Sequence, residues 1–258
     1  MKNTCNGGIK IYCVLQHIST SGILFKQKVD WTDQTPLGHP ANSMKELNFY
    51  FDYLSPFSYF AWNGLQKIPD LTVHFKPVAL GPLLNHWDIK GPGEITPKRE
   101  FLLKQCLRLS AKNQIEFTTP KTHPFNSLYA LRLSLIGVAG ELQPKVIETL
   151  WKAGWQKRID MGEPDELLKE LKDAGLPAEE LYEKSFSKEA KVELKANIQE
   201  AISFGAFGVP TMVAGDELFW GNDALGDVKN YLDGTDLLDR EKLKLLLSST
   251  PRAAAQSI

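Results

Sequence analysis

Apolar residues follow two different spacings along this chain, and each spacing occupies its own part of the sequence. Short strand-like runs occur at 46–53, 71–80 and 209–221, whereas the long stretch 96–203 repeats its apolar residues at helical spacing. A central Gly-Asp pair in the last strand-like run predicts a hairpin. The helices predicted in the long stretch are 97–113, 127–139, 144–155, 164–174, 178–185 and 188–203.

Three further helices lie outside that stretch. One begins at Ser55-Pro56 and runs to about Ile68, and two follow the hairpin, near 223–232 and from 237 or 239 to 248. Consecutive strands joined by a crossover helix are parallel, and the hairpin can complete the same sheet. The order of these strands and helices along the chain therefore predicts an α/β fold: a thioredoxin-like domain with a large helical insertion. The domain is formed by 44–82 and 204–250, and the insertion by 83–203.

Composition narrows the function classes. The 258-residue chain carries a formal net charge of -1, which gives no reason to expect binding to nucleic acid or to an anionic membrane surface. The three cysteines, Cys5, Cys13 and Cys106, form no C-x-x-C pair. An odd, unpaired set argues against a disulfide framework and suits a reducing compartment. We therefore expect a cytoplasmic protein, with Cys106 as a buried apolar residue and no metal site.

The first 43 residues have a different character from the rest. They are weakly apolar, interrupted by polar residues, and lack a compact apolar stretch followed by a cleavage site. No apolar run in the chain is long enough to cross a bilayer. We expect residues 1–43 to be a poorly ordered extension, with Met44 as a candidate start.

The turn Ser55-Pro56-Phe57-Ser58 joins the first strand to the first helix. Serine is a favoured N-cap and proline a favoured first helical residue, so this turn could be a helix cap and nothing more. In a thioredoxin-like fold, however, free N–H groups at this helix start stabilise a thiolate. Two serines cannot form a disulfide, which excludes dithiol chemistry here. A serine hydroxyl can instead donate a hydrogen bond to the sulfur of a bound thiol.

Two later stretches extend this interpretation. Val209-Pro210 stands at the start of a strand and is flanked by glycines. A cis bond there would leave the backbone N–H and C=O of Val209 available to an extended peptide. The alternative is that Pro210 only opens an edge strand. Trp220-Gly221-Asn222-Asp223 precedes a helix and offers either an ordinary cap or N–H groups for a carboxylate. Together the three stretches offer a thiol site, a backbone-pairing site and an anion site, as a glutathione cradle requires.

The motifs FYFDYLSPFSYFA, FKPVALG, KGPGEITPKR, HPFN and FGAFGVPTMVAGDELFWGNDAL resemble the 2-hydroxychromene-2-carboxylate isomerase family, over about residues 46–235. That family is related to kappa-class glutathione transferases and to DsbA-like oxidoreductases. The resemblance implies that Ser55 contacts glutathione and is catalytic. The other glutathione-binding residues it implies are Lys98, Val209, Trp220, Gly221, Asn222 and Asp223. The substrate-binding residues are Phe125 and Asn126, with Lys76 and Asn85 on the loop after the second strand.

The activity that the resemblance implies is interconversion of 2-hydroxychromene-2-carboxylate and trans-o-hydroxybenzylidenepyruvate, in aromatic catabolism. Reversible addition of the glutathione thiolate makes a double bond rotatable, so glutathione is not consumed. The alternatives are a kappa-like transferase, which consumes glutathione, and a non-catalytic module that binds extended peptides. Ala224 departs from the pattern, because relatives often carry arginine there. The relatives also suggest a homodimer.

Overall fold

The computed structural model describes residues 45–249, so the prediction for residues 1–43 lies outside the described part. The strands are β1 (Lys45–Phe51), β2 (Leu71–Pro77), β3 (Thr211–Ala214) and β4 (Glu217–Trp220). The helices are α1 (Pro56–Leu65), α2 (Leu80–His86), α3 (Thr96–Asn113), α4 (Leu128–Leu133), α5 (Ile136–Ala139), α6 (Gln143–Trp155), α7 (Pro164–Asp173), α8 (Ala178–Ser185), α9 (Lys188–Ser203), α10 (Leu225–Leu232) and α11 (Arg240–Ser249). Short 3-10 turns occupy Pro92–Glu94, Gly140–Leu142 and Asn222–Ala224.

The strands form a sheet in the order β2-β1-β3-β4. β1 and β2 are parallel, as expected for strands joined by the crossover helix α1, and β3 pairs antiparallel to both β1 and β4. The predicted hairpin is confirmed, with a turn in which Gly215 takes a positive φ of 59°. The predicted sheet of two parallel strands completed by a hairpin is therefore correct.

Helices of the long middle segment pack on both faces of this sheet. Successive residues of a strand point to opposite faces. On β1, the ring of Phe51 contacts Trp151 of α6 at 5.6 Å between centroids, whereas the hydroxyl of Tyr50 donates to Glu200 of α9 at 2.8 Å. The same core cluster contains residues from the sheet and from these helices, so the middle segment packs directly against the strands.

Two boundaries differ from the sequence prediction because the backbone hydrogen bonds change there. The run 71–80 is shorter as a strand, because β2 ends at Pro77 and α2 begins at Leu80. The predicted helix 127–139 is two helices, α4 and α5, separated by Ser134 and Leu135. The Ser134 hydroxyl donates to the Ala130 carbonyl at 2.8 Å and also bonds the Tyr53 hydroxyl, and the next residue takes an extended conformation.

Candidate functional site

Ser55 caps α1, as the sequence predicts. Its Oγ accepts a hydrogen bond from the backbone N–H of Ser58 at 3.2 Å, and Pro56 occupies the first helical position. The residue is 7% exposed, so it lies at the edge of the core. The helix-cap interpretation of this serine is therefore correct in structural terms, and any chemistry would be added to it.

The same hydroxyl joins α1 to the loop before β3. Ser55 Oγ donates to the carbonyl of Val209 at 3.3 Å, and the Val209–Pro210 peptide bond is cis. The sequence left the cis bond and a simple edge-strand proline open, and the structure has the cis form. The Val209 carbonyl, expected to be available to a peptide, instead faces Ser55.

Two backbone N–H groups in the segments that meet at this hydroxyl have no acceptor among the described residues. Within residues 45–249, no group accepts from the N–H of Phe57 in the first turn of α1 or from the N–H of Val209. The first turn of α1 also contains no acidic residue that would compete for these donors. Free N–H groups at a helix N-terminus favour an anion. The donor set of one hydroxyl and two N–H groups suits a thiolate or a carboxylate.

Trp220 and Gly221 lie directly beside the cis bond. Trp220 pairs with Thr211 across the hairpin, and the N–H of Gly221 donates to the Pro210 carbonyl at 3.0 Å. The Trp220 indole covers Gly208, where an added Cβ would lie 2.9 Å from its Nε1. The indole is half exposed, so it borders both the loop and solvent.

Asn222 and Asp223 follow in the 3-10 turn that leads into α10. This turn packs against α1, and Gly64 of α1 is in close contact with Leu225 at the start of α10. Gly221 takes a positive φ of 93°, which brings the chain sharply around into the turn. The Ser55 and Val209 stretches therefore meet at the N-terminus of α1, whereas the turn after Trp220 packs against α1, with Leu225 next to Gly64 near the C-terminal end of the helix.

Asp52 is a site residue that the sequence reasoning missed. It is fully buried, and its carboxylate accepts from the N–H of Leu54 at 3.0 Å and from the N–H of Leu80 at 2.8 Å. Burial raises the pKa of this carboxyl, and the two backbone donors and the nearby Ser127 side chain act in the opposite direction. Asp52 thus ties the Ser55 loop to the start of α2. An acidic residue ending an apolar strand three positions before Ser55 was the available signal.

His123 provides a second connection to the Ser55 loop. Its Nε2 lies 2.9 Å from the carbonyl of Leu54, and its ring packs edge-on against Phe125 and Trp155. Arg99 of α3 donates to the His123 carbonyl at 3.1 Å. The start of α3, the HPFN segment and the Ser55 loop are therefore joined in one region.

The predicted substrate residues fall in different environments. Phe125 is buried beside His123, and exposed Asn126 accepts from the N–H of Leu128 through Oδ1 at 3.1 Å. The placement of Lys76 and Asn85 on a loop is wrong: Lys76 belongs to β2 and exposed Asn85 to α2. The loop prediction failed because β2 extends to Pro77 and the residues after it coil into α2.

Lys76 and Lys98 differ in their charge partners. Lys76 Nζ lies 3.0 Å from Glu200 Oε2. The other oxygen of this carboxylate accepts from the Tyr50 hydroxyl. Lys98 is exposed in the first turn of α3, and within residues 45–249 it has no ion pair. Its role in binding stays a prediction. Between residues 45 and 249 no group of three or more His, Cys, Asp and Glu side chains could hold a metal ion.

The helices of the described part include none that is both long and apolar enough to span a membrane. The one cysteine that this part contains, Cys106, is fully buried on α3, as expected. Burial raises the pKa of its thiol to about 12. That cysteine therefore offers no thiolate near neutral pH.

Comparison with known proteins agrees with this architecture. A curated 2-hydroxychromene-2-carboxylate isomerase from Sphingobium xenophagum is 29% identical over 197 residues, covering 73% of this chain and 98% of the relative. Glutathione S-transferase kappa 1 from Homo sapiens is 27% identical, with 66% of this chain and 81% of the relative covered. A solved 2-hydroxychromene-2-carboxylate isomerase structure superposes with a TM-score of 0.67 at 24% identity, covering 78% of this chain and 98% of that chain.

Comparison with protein families assigns the chain to the same fold. The model described as a DSBA-like thioredoxin domain matches residues 46–233, which include all four strands of the sheet and the helices between them. The chain belongs to the DsbA-like thioredoxin family, and among its relatives are 2-hydroxychromene-2-carboxylate isomerases and kappa-class glutathione transferases.

Proposed function

We propose that this protein is a glutathione-dependent isomerase that interconverts 2-hydroxychromene-2-carboxylate and trans-o-hydroxybenzylidenepyruvate. The observation that carries the proposal is the contact of the Ser55 hydroxyl with Val209 at the start of α1, where the N–H groups of Phe57 and Val209 have no acceptor within residues 45–249. The names of the relatives support the same class of reaction.

The donor set at Ser55 fits a bound thiolate. A hydroxyl hydrogen rotates freely about its C–O bond, so the Ser55 proton can turn from the Val209 carbonyl toward a sulfur. The N–H of Phe57 and the positive end of α1 add to the stabilisation of a negative charge. Dithiol chemistry would need two sulfurs at this helix start, and Ser55 and Ser58 supply none.

Each segment around α1 has a separate task in this proposal. Ser55 holds the sulfur, the backbone of Val209 pairs with the peptide part of glutathione, and residues 220–223 receive a carboxylate. Lys98 is proposed as a further contact for glutathione. When bound there, glutathione supplies a nucleophilic thiolate that adds reversibly to a conjugated double bond.

The substrate side is proposed to be the region of Phe125 and Asn126. His123 contacts the Leu54 carbonyl, so this segment is held next to the Ser55 loop. Lys76 and Asn85 are kept as proposed substrate contacts. Because Lys76 is paired with Glu200, it would have to exchange that partner for the substrate carboxylate.

An absorbance difference titration tests the thiolate directly. We expect glutathione to develop a thiolate band near neutral pH when it binds the purified protein, whereas S-methylglutathione, which has no ionisable thiol, gives no band. Binding of both compounds without a band would show a glutathione site that does not ionise the thiol. Absence of binding would refute the proposal and favour a module that binds extended peptides beside Val209-Pro210.

A kappa-like glutathione transferase is the second candidate, favoured by the similarity to the human kappa enzyme. It would use the same thiolate on an electrophile that retains the sulfur. Measurement of total free thiol during turnover separates the two candidates, because the transferase consumes one glutathione per product and the isomerase consumes none.

A further inference from the structure

His123 is held against the residue that immediately precedes Ser55. Its Nε2 lies 2.9 Å from the Leu54 carbonyl oxygen, and consecutive Cα atoms are about 3.8 Å apart, so the ring is a close neighbour of the Ser55 turn. The main chain of His123 is fixed as well, because Arg99 donates to its carbonyl. The rings of Phe125 and Trp155 confine the imidazole from the core side.

This contact determines which ring nitrogen carries the proton. A carbonyl oxygen can only accept a hydrogen bond, so Nε2 must be the protonated nitrogen. In the neutral ring, Nδ1 then presents a lone pair. Within residues 45–249 no group donates a hydrogen bond to Nδ1. Side-chain polar atoms of this part that are both buried and unpartnered do not include Nδ1, so Nδ1 is accessible to solvent or to a ligand.

The surroundings of His123 favour its neutral form. Burial lowers the pKa of the imidazole, and the positive charge of Arg99 on α3 lowers it further, while the bond to Leu54 acts in the opposite direction. The carboxylates nearby are already engaged: Asp52 by backbone N–H groups and Asp160 by the neighbouring Thr122 hydroxyl. At neutral pH the ring is therefore a proton acceptor.

We propose that His123 Nδ1 accepts the thiol proton when glutathione binds at Ser55, an inference that rests on the proposed function. Nδ1 forms the new bond to the proton, the electron pair of the broken S–H bond stays on sulfur, and the imidazole becomes an imidazolium. Ser55 and the N–H groups of α1 hold the resulting anion, and the imidazolium balances its charge. Positioned bases of this kind activate sulfur nucleophiles in other enzymes.

Side-chain NMR of the histidines tests this assignment without any turnover. The pKa of His123 is followed by long-range proton–nitrogen correlation in the free protein, with glutathione, and with S-methylglutathione. We expect glutathione to raise this pKa, since a thiolate beside the ring stabilises the imidazolium, and S-methylglutathione to leave it unchanged. His74, exposed and 3.4 Å from Glu46, is the internal control and should respond to neither compound.

The variant His123→Gln separates proton transfer from loop support. Its amide can still donate to the Leu54 carbonyl, but it cannot take a proton. We expect it to fold, to bind S-methylglutathione as the wild type does, and to need a pH higher by about 1 to 3 pH units for the thiolate band. A wild-type band with an unresponsive His123, or an unchanged band in the variant, would overturn the inference alone. A wild type that gives no band would overturn the proposed function and this inference together.

Discussion

Replacement of Ser55 by alanine removes two hydrogen bonds from one position. Ser55 Oγ accepts from the Ser58 N–H at 3.2 Å and donates to the Val209 carbonyl at 3.3 Å. Loss of a serine N-cap costs about 0.5 to 2 kcal/mol, and the length of both bonds places the expected cost near 1 kcal/mol. Urea unfolding of the free protein measures this cost.

The same substitution has a second, larger effect on a bound sulfur. A hydrogen bond to a charged group contributes about 1.5 to 3 kcal/mol. Since one pKa unit corresponds to about 1.4 kcal/mol, the thiol of bound glutathione should ionise about 1 to 2 pH units higher in Ser55→Ala. A pH titration of the thiolate band, with the protein saturated by glutathione, measures the shift.

Two matched serines separate these effects. Ser187 caps α9 in the same way, by accepting from the Ala190 N–H at 3.1 Å, so Ser187→Ala should lose similar stability and leave the thiolate band unchanged. Ser58 lies one turn from Ser55, and its buried hydroxyl has no hydrogen-bond partner within residues 45–249, so Ser58→Ala should change stability by less than about 0.5 kcal/mol. An unshifted band in Ser55→Ala, or an equal shift in Ser187→Ala, would refute the reasoning.

Three further predictions concern the supports of the site. Asp52→Ala leaves two buried backbone donors without an acceptor, at about 1 to 3 kcal/mol each, so it should lose at least about 2 kcal/mol of stability in urea unfolding. Exposed Asp236→Ala should lose less than about 0.5 kcal/mol, and similar losses in the two variants would contradict this expectation. Because the pKa of Asp52 is raised in the folded state, the folded protein binds more protons than the unfolded chain between pH 3.8 and the folded pKa. The free energy of unfolding of the wild type should therefore fall relative to that of Asp52→Asn as pH rises through this range. A difference that does not change with pH would contradict this prediction. Gly208→Ala places a Cβ 2.9 Å from Trp220 Nε1, so the indole should move, which should alter tryptophan fluorescence and weaken glutathione binding. The control Gly226→Ala, whose Cβ meets no atom within 4 Å in α10, should instead raise the free energy of unfolding by up to about 1 kcal/mol.

Local chemistry made much of the fold predictable. The aromatic run of β1, the Ser-Pro start of α1 and the Gly-Asp turn between β3 and β4 each determine structure within a few residues. Helices with a clear apolar period, such as α8 and α9, were placed with their observed ends. The Ser55 cap belongs to the same class of features, since its partner is Ser58 in the same turn.

Contacts between distant segments could not be read from the sequence in the same way. The break at Ser134 involves Tyr53, 81 residues earlier, and the bond between His123 and Leu54 spans 69 residues. Asp52 likewise reaches Leu80, so nothing within its own turn reveals all of its partners. The commitment of Lys76 to Glu200 depends on how α9 packs on the sheet.

Turnover with glutathione tests the central claim most directly. The purified protein is incubated with 2-hydroxychromene-2-carboxylate at several glutathione concentrations, while the ring-opened isomer is followed by absorbance and free thiol by a colorimetric reagent. We predict approach to the same equilibrium from either isomer, a rate that requires glutathione, and constant total thiol. Isomerisation that proceeds equally well without glutathione, or thiol loss that matches product formation, would contradict it.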